Sequence, residues 1–167
     1  MDIERKIAAI IGAGLIGRAW AVVFARAGWT VRLFDAVPAQ LSAARRQIEQ
    51  ALTEQQQAGL AEDARAALER IAPCIRVGDA LTDAAWVQEN LPEEVAMKRT
   101  AFAELDRLAS PDAILASSTS AIVASHFTAD LAGRARCLVA HPVNPPHLVP
   151  VVELCGHAAH LPYTYTW

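Results

Sequence analysis

The chain has 167 residues, 53% of them hydrophobic and 20% charged, which suits one soluble globular domain with a sizeable core. A formal net charge of −3, with lysine only at Lys6 and Lys98, argues against a nucleic-acid surface, and no apolar run approaches the ~20 residues of a membrane span. The N-terminus lacks a secretory pattern, and Cys74, Cys137 and Cys155 are scattered in apolar contexts without metal-ligand spacing, which reads as buried reduced thiols in a cytoplasmic protein.

Ile7 to Ile11 is a short apolar run that suits a strand buried on both faces of a parallel sheet. Gly12, Gly14 and Gly17 follow at GxGxxG spacing. Gly12 permits a tight turn, Gly14 lets the backbone approach a pyrophosphate, and Gly17 lets a helix pack close to the strand. With Leu15 and Ile16 they form the candidate cofactor turn. Arg18 to Ala27 is predicted helical, Gly28 caps it, and Thr30 to Phe34 is the second strand. Asp35 ends that strand 21 residues after Gly14. A carboxylate there accepts both ribose hydroxyls of an adenosine and repels the 2′-phosphate of NADP. A lone glycine turn is weak evidence. With strand, helix, second strand and acid in register, it marks a dinucleotide site, and NAD is the better match.

Pro38 to Ala72 reads as a pair of helices joined near Gln57-Ala58-Gly59. Pro73 ends the helical stretch, Cys74 to Val77 is predicted as a short strand, and Ala80 to Ala85 as a brief helix. Trp86 to Glu89 is another strand. Pro92 suits a helix start, with Glu93 and Glu94 favoured in its first turn and Val95, Phe102, Leu105 and Leu108 as its buried stripe. Ala113 to Ala116 is the next strand, and Ser117 to Ser120 forms a polar loop at its carboxyl end, where open parallel sheets bind ligands. Loop and N-cap preference alone accounts for those hydroxyls, since a helix is predicted from about Ile122 to Leu131.

Cys137 to Ala140 is a further buried strand that delivers His141 into a proline-dense loop. Leu148 to Leu154 returns as a strand with one charge, Glu153. A carboxylate among Val, Val and Leu is costly to bury without a partner, and His141 can be that partner. Such a pair orients an imidazole and raises its basicity. His126, His147, His157 and His160 read as surface residues.

These segments resemble the NAD-binding domain of the 3-hydroxyacyl-CoA dehydrogenase family from about Ile7 to Leu154. Ala116 to Ser120, His141-Pro142-Val143-Asn144-Pro145 and Val152-Glu153 carry the resemblance more specifically than the glycine turn does. The wording Ile-Gly-Arg-Ala-Trp, Ser-Ser-Thr-Ser and Val-Ala-His-Pro-Val-Asn-Pro-Pro is most similar to the branch holding L-gulonate 3-dehydrogenase (lambda-crystallin) and the carnitine dehydrogenases. Members acting on acyl-CoA usually carry Asn where Ser118 stands and Phe-Phe where Pro142-Val143 stands, a departure that weighs against a CoA thioester.

The resemblance implies a Rossmann-type, doubly wound α/β sheet with an antiparallel addition near the end. It implies His141 as the catalytic base, Glu153 as the acid that orients it, Ser120 on the substrate hydroxyl and Asn144 beside the reacting carbon. Glu93 and Lys98 fall where the family places residues near the nicotinamide and its ribose, and Asp35 matches the adenosine-ribose acid. The implied reaction is reversible oxidation of a 3-hydroxy to a 3-keto group with NAD, on a small-molecule hydroxy acid or acyl-CoA, in a possible homodimer. No metal is implied. The family continues into a mostly helical second domain that this chain is expected to lack, and residues 157–167 read as an atypical tail. Two readings of other classes compete: a noncatalytic NAD-binding or structural module, and a serine hydrolase using Ser120, His141 and Glu153. The hydrolase lacks a G-x-S-x-G elbow.

Overall fold

A computed structural model describes residues 6–156. The tail expected at 157–167 lies outside the described residues. In chain order the elements are β1 (Ile7–Ile11), α1 (Leu15–Arg26), β2 (Thr30–Phe34), α2 (Pro38–Gln57), α3 (Ala64–Glu69) and β3 (Ile71–Cys74). There follow α4 (Val77–Leu81), β4 (Trp86–Glu89), α5 (Val95–Leu108), β5 (Ile114–Ser117), α6 (Ser125–Thr128), β6 (Cys137–Pro142) and β7 (Val152–Gly156). The strands form one sheet in the order β3-β2-β1-β4-β5-β6-β7. All neighbouring pairs are parallel except β6 with β7. This is the expected doubly wound sheet with one antiparallel addition.

The two faces of the sheet are both buried, which is why β1 is apolar throughout. Ala9 and Ile11 pack into a core with Leu81, Val87, Phe102, Leu105 and Phe127. Ile10, one residue out of phase, packs on the other face with Trp20, Val22, Leu41, Ile48 and Leu52. Strand order reverses between β1 and β4, so their carboxyl ends open a crevice where such sheets bind ligands. The glycine turn leaves β1 there, Asn90 to Glu93 leaves β4, and Ser118 to Ser120 leaves β5.

Several expected boundaries move. Helix α1 begins at Leu15, three residues before the predicted Arg18, because Gly14 already stands as its N-cap. The strand expected at Cys74 to Val77 lies at Ile71–Cys74, where Ile71 enters the core. Pro73 is tolerated inside it because β3 is an edge strand of the sheet among the described residues. The next helix accordingly starts at Val77. Helix α5 starts at Val95, not Pro92, with Glu94 as its N-cap, and Val95 is exposed while Lys98 takes a buried place beside Phe102 and Leu105. The helix expected over Ile122 to Leu131 shrinks to Ser125–Thr128. Its first amides are diverted, since Ala121 N–H bonds Glu93 and Ile122 N–H bonds Thr119 Oγ1. The last strand starts at Val152 instead of Leu148 and is exposed along its length. Of the cysteines, Cys137 is buried, Cys74 is partly so, and Cys155 is exposed on that strand, against the expectation of three buried thiols.

Candidate active site

The glycine turn is built by close contact. Gly12 has φ +94°, and a Cβ on it would lie 3.0 Å from the Asn90 carbonyl oxygen. A Cβ on Gly17 would fall 1.8 Å from the Gly12 carbonyl oxygen, so no side chain fits there without moving helix or turn. Gly14 differs: nothing lies within 4 Å of the Cβ position. Its bareness serves a group outside the chain, and the first-turn amides of α1 beside it suit an anion. Asp35 is fixed next to this turn, accepting from Ala13 N–H and Val37 N–H at 2.8 Å each. Each oxygen keeps a further lone pair for a hydroxyl. The residues present therefore fit a dinucleotide.

His141 and Glu153 are direct cross-strand neighbours in the antiparallel β6–β7 register. Their side chains meet at 2.8 Å, imidazole Nδ1 to carboxylate Oε2. Glu153 is 73% exposed, so its burial is not what demands a partner; the register alone supplies one. With Nδ1 engaged, Nε2 is the atom left for chemistry, and it makes no hydrogen bond among the described residues.

The loop after β5 divides its labour. Ser118 Oγ accepts from Trp20 Nε1 at 3.0 Å and Gln88 Nε2 at 2.8 Å, and donates to Asn90 Oδ1 at 2.7 Å. Asn90 in turn donates to the carbonyls of Gln88 and Ile11, immediately below Gly12. Ser118 is thus a structural hub joining α1, β4 and the glycine turn. Thr119 Oγ1 donates to Glu93, which also accepts from Ser120 N–H and Ala121 N–H at 3.0 Å each. Burial works to raise the Glu93 pKa, but the bonds from Thr119, Ala121 and Ser120, with Lys98 nearby, outweigh it and hold the carboxyl below its usual value. The Ser120 hydroxyl and the Asn144 side chain make no hydrogen bond among the described residues.

Beneath this loop lies a buried charge cluster. Glu89 and Lys98 are 0% and 1% exposed and bond through both carboxylate oxygens at 2.9 and 3.0 Å. Ser117 Oγ donates to Glu89 at 2.5 Å, Leu91 N–H donates to it at 2.6 Å, and Lys98 reaches the Leu91 carbonyl at 3.3 Å. The Lys98 ammonium is therefore enclosed by protein, and the cluster fixes the backbone between β4 and Glu93.

A pocket of about 210 Å³ brings Glu93, Ser118, Ser120, His141 and Asn144 together against Ile16 of the glycine-turn helix. Asp35 stands off at the β2 end, and Lys98 lies under the pocket instead of lining it. Sequence reasoning did not single out Glu89, Asn90 or the Trp20–Ser118 contact. The signal was Gln88-Glu89-Asn90, a polar run closing an otherwise apolar strand.

A profile described as "3-hydroxyacyl-CoA dehydrogenase, NAD binding domain" matches residues 7–164. A lambda-crystallin homolog of Bos taurus is 42% identical over 159 residues, 93% of this chain and 50% of that protein. An L-carnitine dehydrogenase of Streptomyces griseus is 35% identical over 166 residues, 99% of this chain and 48% of that one. The structure of a 3-hydroxybutyryl-CoA dehydrogenase from Escherichia coli superposes with a TM-score of 0.88 at 28% identity, over 96% of this chain and 34% of that one. The chain spans about half the length of the curated relatives it matches.

Proposed function

This chain belongs to the 3-hydroxyacyl-CoA dehydrogenase family through its NAD-binding domain, and from that premise we propose that it serves the reversible oxidation of a 3-hydroxy group to a 3-keto group. The observation that carries the reading is the His141–Glu153 pair, whose free Nε2 shares one pocket with Ser120 and Asn144 beside the glycine turn. Gly12, Gly14, Leu15, Ile16 and Gly17 would hold the pyrophosphate of NAD, Asp35 would hold the adenosine ribose, and Glu93 would serve the nicotinamide and its ribose. Bound there, the nicotinamide supplies the hydride acceptor.

His141 Nε2 takes the proton of the substrate hydroxyl, and Glu153 keeps Nδ1 protonated and steadies the charge that develops on the ring. Ser120 offers its unbonded hydroxyl to the same substrate oxygen, and Asn144 stands beside the reacting carbon. Lys98 acts from below, through Glu89 and the Leu91 carbonyl. The substrate is a small 3-hydroxy acid or its CoA thioester. Similarity to the L-carnitine dehydrogenase favours the free acid, a homodimer is the proposed assembly, and the cytoplasm the proposed setting.

The test is NADH formation with L-gulonate, carnitine, 3-hydroxybutyrate and 3-hydroxybutyryl-CoA. Turnover of one of them, abolished by His141→Asn with NADH affinity nearly intact, is expected; unchanged turnover in that variant removes His141 as the base. A second reading, a noncatalytic NAD-binding module, is favoured by the similarity to a protein named for a crystallin. NADH binding without turnover of any of the four would support it.

A further inference from the structure

A second, smaller pocket of about 160 Å³ lies between α1 and α2, lined by Leu15, Arg18 and Val22 on one side, Gln47 and Ile48 on the other, and His147 at its rim. Of its lining, only Leu15, at the edge of the glycine turn, has a part in the proposed cofactor site; Arg18 and His147 have none. Arg18 is half-buried there, and its guanidinium has no hydrogen bond or carboxylate partner among the described residues. His147 is also short of a partner: its Nδ1 is buried and makes no hydrogen bond among the described residues. The surroundings carry positive charge. Arg26, on the same helix, spends its guanidinium on neutral acceptors, Gln55 Oε1 at 2.8 Å and the carbonyls of His147 and Leu60. Burial and Arg26 push the His147 pKa down, and Glu54 opposes them only in part.

A guanidinium without an anion and an imidazole without a partner share one hollow. The two hollows share no lining residue, but they take consecutive residues of α1, Leu15 and Ile16, and one loop supplies Asn144 to the reaction pocket and His147 to this one. We infer that Arg18 and His147 form an anion subsite beside the reaction pocket, taking a carboxylate or phosphate group of a molecule that also enters that pocket. Two sources share this chemistry: the carboxylate of a hydroxy-acid substrate and the pyrophosphate of the dinucleotide. The inference rests on the dehydrogenase reading only for which molecule carries the anion. The subsite itself is tested without turnover.

The test follows the His147 ring signals by NMR in the whole chain during titration with 3-hydroxybutyrate, with sodium pyrophosphate and with uncharged 1,3-butanediol. A nearby anion favours the imidazolium, so one anion is expected to raise the His147 pKa by roughly half a unit or more, and the diol is not. Arg18→Met should weaken that anion about tenfold or more, and Arg18→Lys, which keeps charge but loses the fork, by less. If Arg18→Met also weakens NADH binding, the pyrophosphate is the occupant. If NADH binds as before while 3-hydroxybutyrate is lost, the substrate carboxylate is. Absence of any anion effect on His147, an equal effect from chloride, or unaltered binding by Arg18→Met overturns the subsite. None of these results depends on whether His141 is a base.

Discussion

Trp20 on α1 donates its indole N–H to Ser118 Oγ at 3.0 Å across 98 residues of sequence. That contact ties the cofactor helix to the loop that presents Ser120. Ser118→Ala removes the acceptor of the Trp20 N–H and the donor to Asn90 Oδ1, while Gln88 keeps the Ala140 carbonyl at 3.2 Å. The expected cost is about 1–3 kcal/mol, the desolvation penalty of polar groups left without partners. Thermal unfolding and Trp fluorescence check it; a variant as stable as the parent would show that the hub has no weight.

The glycines of the turn separate by what they exclude. Gly17→Ala is expected to destabilise the fold severely, because its methyl would meet the Gly12 carbonyl oxygen at 1.8 Å. Gly14→Ala meets nothing within 4 Å and should leave the melting temperature close to the parent's while weakening NADH. A calorimetric scan and an NADH titration on each variant decide. Equal loss of stability in both would contradict the division.

The Glu89–Lys98 pair is enclosed, so breaking it from one side leaves a buried charge. Glu89→Gln or Lys98→Met alone should cost about 3–5 kcal/mol. The double variant, Glu89→Gln with Lys98→Met, should cost less than the two together, since no unpaired charge remains. Urea unfolding of all three closes the cycle. Strict additivity would mean that the two side chains do not act as a pair.

Two titrations set the pH window. The Glu93 carboxyl is held below the ordinary glutamate value of 4.5, so the order it gives Ser120 and Ala121 is present above that value and is lost as pH falls through the lowered pKa. The protection of those two amides, measured against the unstructured exchange rate at each pH, should fall on acidification, and in Glu93→Gln that protection should no longer change with pH. At the other end, burial pushes the Cys137 thiol from 9.0 up to about 12. Its neutral form favours the folded chain below pH 9, and the contribution is lost as pH rises from there toward 12. A thiol reagent at pH 8 should label exposed Cys155 in the native protein and Cys137 only after unfolding.

Sequence reading placed β1, β2 and β4 at their observed ends and recognised the turn, because each rests on local rules. Apolar runs between glycines make buried strands, and a glycine-only φ makes the turn. It named His141 and Glu153 as partners, and the antiparallel register brought them to 2.8 Å. It misplaced β3 and lengthened α6. In both places a long-range partner outbid local preference: the β2 edge for Ile71, and the Glu93 carboxylate for the Ala121 amide.

Lys98 shows where local rules end. Its position on α5 follows from helical spacing, but nothing in that spacing says that Glu89 waits under the same turn to neutralise it. Ser118 likewise reads as one of four loop hydroxyls until Trp20, Gln88 and Asn90 converge on it. By itself the sequence determined the dinucleotide unit and the identity of the candidate base, since backbone sterics and hydrophobic alternation act within a few residues. The tertiary structure alone decided which polar side chains are spent inside and which remain free to react. Desolvation and hydrogen-bond satisfaction are settled between segments, by neighbours that are distant along the chain.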